Sequence, residues 1–428
     1  MRGRNRISRR GFLTKATKAI AGTAAALSAP VIVPRSALGG PGRTAANDRL
    51  ALGWIGCGGQ GNGDVGALLG SGQVELVAVC DVYYEHAQKA AGRGRAGTEI
   101  YKDFRAMLDR DDLDIVEIAT PDHWHALTAI AACQAGKDIY CQKPMSLTIE
   151  EGRAMVNAVR RYNRIFQVGS QQRSEFSFRR ACELVRSGRI GKLQYVDTQI
   201  GGNPTCGYDG FGPVPEGMDW DMYLGPAPWV PYNRHRTFWD FRWFWDYSGG
   251  NMTDWGAHHN DIAQWGMGTD NTGPVEIEGS GVFPTSGLME TPVSFKATFK
   301  YKNGVEVRCS SEGNMCTFHG TGGWIECNRG GHLKSDPPDI VKEPLGPNDV
   351  HLYESNGHHQ NFLECVRSRK TPVCDVEIGH RSVSVCHLGN LSIRLGRKIY
   401  WDPDKEQIVA DDEAARWVSK PMRKPWHL

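Results

Sequence analysis

The sequence lacks several features that would place it in a common class. Its 428 residues contain no Cys-x-x-Cys pair for a zinc ribbon and no His-Glu-x-x-His run for a zinc hydrolase. Twelve cysteines are present but dispersed without short repeated spacing, so a disulfide framework is not expected. Cys57 falls in a glycine loop and Cys80 ends an apolar run, where thiols pack as small hydrophobes. Tandem repeats and low-complexity linkers are absent. The apolar run at 16–33 is rich in alanine and interrupted by Lys18, which argues against a permanent membrane span. The length exceeds what one hydrophobic core accommodates, so two domains are expected.

What is present begins with a targeting pattern. Arg2, Arg4, Arg6, Arg9 and Arg10 precede the apolar run without an acid among them, and Ser36-Ala37-Leu38-Gly39 supplies small residues after it. The string SRRGFLTK at 8–15 resembles a twin-arginine signal, with Arg9 and Arg10 as its pair. That resemblance implies handling by the twin-arginine machinery and a periplasmic or otherwise extracytoplasmic destination. Segment 1–39 holds eight of the 50 basic residues and none of the 48 acids, so its removal takes the net charge from +2 to −6. A mildly acidic chain offers no electrostatic footprint for nucleic acid.

From Leu50 onward the order is apolar run, glycine loop, helix, apolar run, acid, as a parallel βαβ unit requires. In GCGGQG, residues Gly56, Gly58 and Gly61 fill the GxGxxG positions, with Gly59 and Gln60 between them. VELVAVC at 74–80 leads to Asp81, placed to accept hydrogen bonds from a ribose; a plain turn and helix cap is the bland alternative. Val82, Tyr83 and Tyr84 follow without an arginine, so repulsion of a 2′-phosphate favours NAD over NADP. Two further strands, DIVEIAT and DIYCQ, deliver Thr120-Pro121-Asp122-His123-Trp124-His125 and Gln142-Lys143-Pro144 to the same crevice. The expected fold is α/β: a doubly wound Rossmann sheet at 48–169, then an α+β domain at 170–428. An antiparallel sheet is read there from alternating runs such as VSFKATFKYKNGVEVRCSS, with Asn303-Gly304 as a hairpin turn.

The stretches TPDHWH and QKP, with the glycine loop, resemble the Gfo/Idh/MocA family, whose members have TPNxxH-like and EKP segments there; that resemblance implies that residues 170–428 form a substrate-binding and oligomerisation domain with an open, mostly antiparallel sheet. Asp122 replaces the usual asparagine and Gln142 the usual glutamate, while Lys143 and Pro144 are retained. Cofactor contacts are thereby expected at Gly56, Gly58, Gly59, Gln60, Gly61, Asp81, Thr120, Pro121, His125, Gln142 and Lys143. The segment Asp254-Trp255-Gly256-Ala257-His258-His259-Asn260-Asp261 resembles the family's DxGxHxxD. On a helix Asp254, His258, Asp261 and Trp265 share one stripe, and His259 points about 100° away. By the match His258 is the proton-transferring residue, Asp254 its polar companion and Lys143 the third member. Arg173, His258, Asp261 and Trp243 are expected to contact substrate. A metal site from His258, His259 and Asp261 is disfavoured by that divergence.

Oxidising a secondary alcohol removes a hydroxyl proton as hydride departs, and a histidine with an ordinary pKa near 6.5 suits that transfer. Charged Lys143 is a poor base but a good donor to the substrate oxygen, and it favours neutral His258 by repulsion. Six of the thirteen tryptophans lie between Trp220 and Trp255, among arginines and acids, a pattern equally suited to a sugar-stacking wall, an interface or a core. The reading is NAD-dependent transfer of hydride to or from a sugar or polyol by a homo-oligomer. An NAD-using, redox-neutral glycosidase and a sugar sensor without turnover are the alternatives.

Overall fold

The computed structural model of the protein describes residues 44–45 and 48–428; the targeting pattern at 1–39 lies outside the described residues. The apolar runs form a six-stranded sheet in the order β3-β2-β1-β4-β5-β6. Its strands are β1 Leu50–Ile55, β2 Val74–Cys80, β3 Glu99–Tyr101, β4 Ile115–Ile118, β5 Asp138–Cys141 and β6 Phe166–Val168. All pairings are parallel, which demands crossover connections. Helices Gly59–Gly70, His125–Gln134 and Ile149–Tyr162 provide them. Strands covered on both faces read as unbroken apolar runs, and β4 is buried along its whole length. Strand order reverses between β1 and β4, so a crevice opens beyond their carboxyl ends, where the glycine loop and Thr120-Pro121-Asp122 emerge.

The second sheet has nine strands in the order β13-β12-β11-β7-β10-β9-β8-β14-β15. These are β7 Leu193–Gln199, β8 Glu276–Val282, β9 Ser294–Lys300, β10 Glu306–Ser310, β11 Met315–Gly320, β12 Gly323–Cys327, β13 Leu333–Asp336, β14 Ile399–Asp402 and β15 Gln407–Ile408. The sheet is antiparallel apart from the β7–β10 pairing. Phe295, Ala297 and Phe299 alternate inward on β9, as do Val307 and Cys309 on β10, and they pack with Ile262 and Leu388 in one core. Helix Val376–Leu395 joins the two halves: Val376 and Val383 enter the core of the parallel sheet, while Val385, Leu388 and Leu391 enter that of the antiparallel one.

Packing does not follow a single cut of the chain at 169/170. Helix His358–Ser368 returns to the first sheet and packs Phe362 and Leu363 with Val65, Leu68 and Tyr140, covering apolar surface that helix Gly59–Gly70 would otherwise expose. All twelve cysteines are unpaired, and all but Cys206 are buried.

Candidate active site

The loop after β1 is shaped by what surrounds it. Gly56 has φ +85°, and a Cβ there would lie 2.6 Å from the backbone of Ala119 and Thr120 at the end of β4. At Gly61 a Cβ would lie 2.6 Å from Trp54 Nε1, so this glycine lets the helix approach its strand. Around Gly58 a Cβ would meet nothing within 4 Å. No side chain caps helix Gly59–Gly70 and its first turn carries no acid, which leaves its amides and partial positive charge for an anion. Asp81 is held at the rim: Oδ2 accepts from Cys57 N at 2.7 Å and Oδ1 from Tyr83 N at 2.8 Å. Each carboxylate oxygen keeps capacity for a hydroxyl donor. An open cradle, free helix amides and a fixed carboxylate are the donor and acceptor set that a dinucleotide requires.

This loop forms one end of a cavity of about 540 Å³ whose wall continues over Thr120, Pro121, Gln142 and Lys143 to Arg242 and Asp254. Exposed Phe238 and Trp239 flank it. Phe238 holds φ +53°, a strained conformation for a side chain, and meets Tyr83 and His86 edge-on at 5.9 and 5.4 Å beside Asp81. Lys143 Nζ donates to Asp254 Oδ1, and Arg242 Nε approaches the same oxygen at 3.4 Å. Burial works to raise the Asp254 pKa, but Lys143 and then Arg242 more than offset it, so this carboxyl sits below its ordinary range. Asp122, buried without such close partners, is pushed up to about 7 by desolvation.

Gln142 explains itself through its neighbour. Its amide donates to Asp64 Oδ2 at 2.6 Å, while its Oε1 accepts from Lys143 N at 3.3 Å. Asp64 is buried and also receives His359 Nε2 at 2.9 Å. A glutamate at 142 would set two carboxylates against each other there, so the amide is the compatible side chain.

His258 lies on helix Gly256–Met267, which Trp255 separates from the short turn Asn251–Asp254. Its Nε2 is 3.1 Å from Arg329 Nη2, and its buried Nδ1 has no partner. Burial first, then the charges of Lys143 and Arg329, drive its pKa well below 6.5. Lys143 is thus within electrostatic reach of the imidazole, yet His258 is not in the cavity wall. Arg329 stands over it, 4.9 Å from the Trp255 ring, with the Gln172 amide oxygen 3.3 Å from Arg329 Nε when that amide is oriented to accept.

Besides His258 and Gly61, four further expected contacts lie outside the cavity wall. Arg173 and Asp261 do not line the cavity: Arg173 Nε and Nη2 each lie 2.7 Å from Asp261, Nη2 also lies 2.6 Å from Asp270, and the pair is buried. A buried guanidinium needs that carboxylate, so the two neutralise each other inside the fold. Trp243 packs in an aromatic core with Phe244 and Tyr247; its neighbours Trp239 and Arg242 take the cavity wall instead. His125 does not reach the cavity, because Nδ1 lies 2.7 Å from Pro144 O and Nε2 lies 2.8 Å from Thr120 O, bracing the two loops from behind. His358 is likewise structural, with Nε2 on Val168 O and Nδ1 on Ser174. The sequence reading places Phe238 only within the aromatic stretch and does not single out Gln172 or Arg329. The first two have only their place beside aromatic and turn segments as a signal, and Arg329 has none.

Comparison with known proteins bears on this site. The model of the oxidoreductase-family NAD-binding Rossmann fold (GFO_IDH_MocA) matches residues 50–170, and that of the family's C-terminal alpha/beta domain (GFO_IDH_MocA_C2) matches 209–428. The chain belongs to the Gfo/Idh/MocA oxidoreductase family. A levoglucosan dehydrogenase from Pseudarthrobacter phenanthrenivorans is 41% identical over 91 residues, 21% of this chain and 23% of that protein. A glycosyl hydrolase family 109 protein from Shewanella pealeana is 30% identical over 209 residues, 44% of each. Across the first curated relatives the chain spans between 23% and 59% of their length. The WlbA dehydrogenase of Bordetella pertussis, solved with NADH and UDP-GlcNAcA, superposes with a TM-score of 0.63 at 21% identity, covering 83% of this chain and 99% of that one.

Proposed function

We propose that the protein is an NAD-dependent dehydrogenase or reductase that moves a hydride between the nicotinamide and a secondary alcohol or ketone of a sugar or polyol. The observation that carries this reading is the Lys143–Asp254 pair, which unites side chains 111 positions apart in the wall of the cavity that begins at the glycine loop. Relatives described as levoglucosan, inositol and D-apiose dehydrogenases support the substrate class. Asp81 favours NAD over NADP, since its carboxylate suits ribose hydroxyls and repels a 2′-phosphate.

A nicotinamide dinucleotide, when bound, supplies the hydride acceptor. Lys143 is oriented by Asp254 and donates to the reacting oxygen, stabilising the negative charge that grows there. Neutral His258 is the proton acceptor; an arginine only donates, so the nitrogen facing Arg329 is the unprotonated Nε2. Its lone pair becomes available to substrate once Arg329 moves aside.

The likeness to a glycosyl hydrolase family 109 protein supports a second reading, a redox-neutral glycosidase that retains its NAD. Export through the twin-arginine pattern at 8–15 would favour it, because fresh NAD is scarce outside the cytoplasm. A homo-oligomer is proposed through the outer face of the nine-stranded sheet, where Lys296, Lys300 and Arg308 point outward. Incubation with sugars and aryl glycosides separates the enzymatic readings. NADH absorbance that grows with sugar is the expected result; aglycone released without net NADH would replace it with the glycosidase.

A further inference from the structure

Arg329 is the charged group of this region that the proposed chemistry leaves unused. It projects from the loop between β12 and β13 and ends on the nitrogen that must accept the substrate proton. Glu175 and Asp254 act on it through space, and among the described residues no carboxylate closes to an ion pair with it. Lys143 and Arg242 meanwhile share the single carboxylate of Asp254. Lys143 and Arg242 lie in the cavity wall, and Arg329, exposed and outside that wall, has only neutral hydrogen-bond partners, His258 and the Gln172 amide. A guanidinium prefers a carboxylate or phosphate over an imidazole lone pair, because it forms two parallel charge-assisted bonds to either.

We propose that Arg329 selects an anionic sugar: parked on His258 in the free protein, its guanidinium transfers to a carboxylate or phosphate of the substrate, and that transfer uncovers Nε2. Recognition and exposure of the base are thereby one event. A neutral sugar leaves Arg329 in place and meets a covered imidazole. The inference rests on the dehydrogenase reading for the purpose of the proton transfer, while the anion preference stands on geometry alone.

The test is calorimetric titration of the full, NAD-loaded chain with D-glucuronate, D-glucose 6-phosphate and D-glucose, for the wild type, Arg329→Gln and Arg329→Lys. The wild type is expected to bind at least one of the two anionic sugars about 10- to 100-fold more tightly than glucose, and which of them wins separates carboxylate from phosphate. Arg329→Gln erases that preference with glucose affinity unchanged, and Arg329→Lys restores part of it. Where turnover is measurable, Arg329→Gln raises KM for the acidic sugar and, by uncovering Nε2, raises kcat for glucose without changing its KM. Its acid limb of kcat/KM also moves to higher pH as His258 loses a neighbouring cation. Glucose binding as tightly as both anions, or Arg329→Gln weakening all three sugars equally, overturns the proposal. Anion-selective, Arg329-dependent binding without NADH formation would retire the dehydrogenase reading and leave this assignment standing. NADH formation without anion preference does the reverse.

Discussion

Lys143 illustrates how a flexible side chain becomes a precise electrostatic tool. Its ammonium carries no fixed direction of its own, and Asp254, buried and ionised, supplies one. Lys143→Met should lower kcat by about 100- to 1000-fold, the loss typical of one donor at a developing oxyanion, while NAD still binds. Single-turnover absorbance together with cofactor titration checks both halves, and undiminished turnover would remove Lys143 from the role. Asp81 is held by two backbone amides, one on each carboxylate oxygen, which leaves its remaining lone pairs for a ribose. Asp81→Ala should weaken NAD binding about 10-fold or more, measured by tryptophan fluorescence quenching, with NADP affinity falling less. Equal NAD affinity in the variant would mean that this carboxylate makes no ribose contact.

At the scale of elements, the helix Gly256–Met267 distributes its polar residues to several partners. His258 meets Arg329, His259 Nε2 lies 2.7 Å from Asn314, and Asp261 takes Arg173. The pair Arg173–Asp261 fastens this helix to the turn that follows β6, so its value is mechanical. Arg173→Ala strands Asp261 without its bidentate partner and should cost about 3–5 kcal/mol of stability. A denaturation midpoint close to wild type, with lost sugar affinity, would instead make Arg173 a substrate contact. DxGxHxxD spacing was legible because periodicity on a helix is local. Which member faces substrate and which a buried arginine was not, since two neighbouring turns of one stripe can meet different partners. The same applies to the aromatic segment, where Trp239 and Arg242 line the cavity and Trp243 turns inward.

Over the whole molecule, seven histidines have pKa values depressed chiefly by burial, among them His123, His125, His259 and His387 at about 4 and His358 at about 3. In the unfolded chain they titrate near 6.5. Between about pH 4 and 6.5 unfolding therefore takes up protons on these rings, and their contribution to stability, fully present above 6.5, is lost as pH falls. Glu117, Asp122, Glu151 and Glu175 oppose this, because burial raises their pKa and unfolding releases protons from them. Seven groups outnumber four, so net stability should drop as pH goes from 6.5 to 4.5. Urea midpoints across that range test it, and a flat or rising profile on acidification would show that the carboxyls dominate.

The amino-acid order determined what depends on neighbours in the chain. The glycine loop, the acid after β2, the parallel alternation and the Asn303-Gly304 hairpin all follow from local sterics and hydrophobic period, and each was readable without coordinates. Tertiary structure alone decided what depends on distant charge and burial. It set Lys143 on Asp254, matched Gln142 to Asp64, consumed Arg173 and Asp261 in each other, and laid Arg329 over His258. Electrostatic partnership acts through space rather than along the chain, so no spacing rule encodes it.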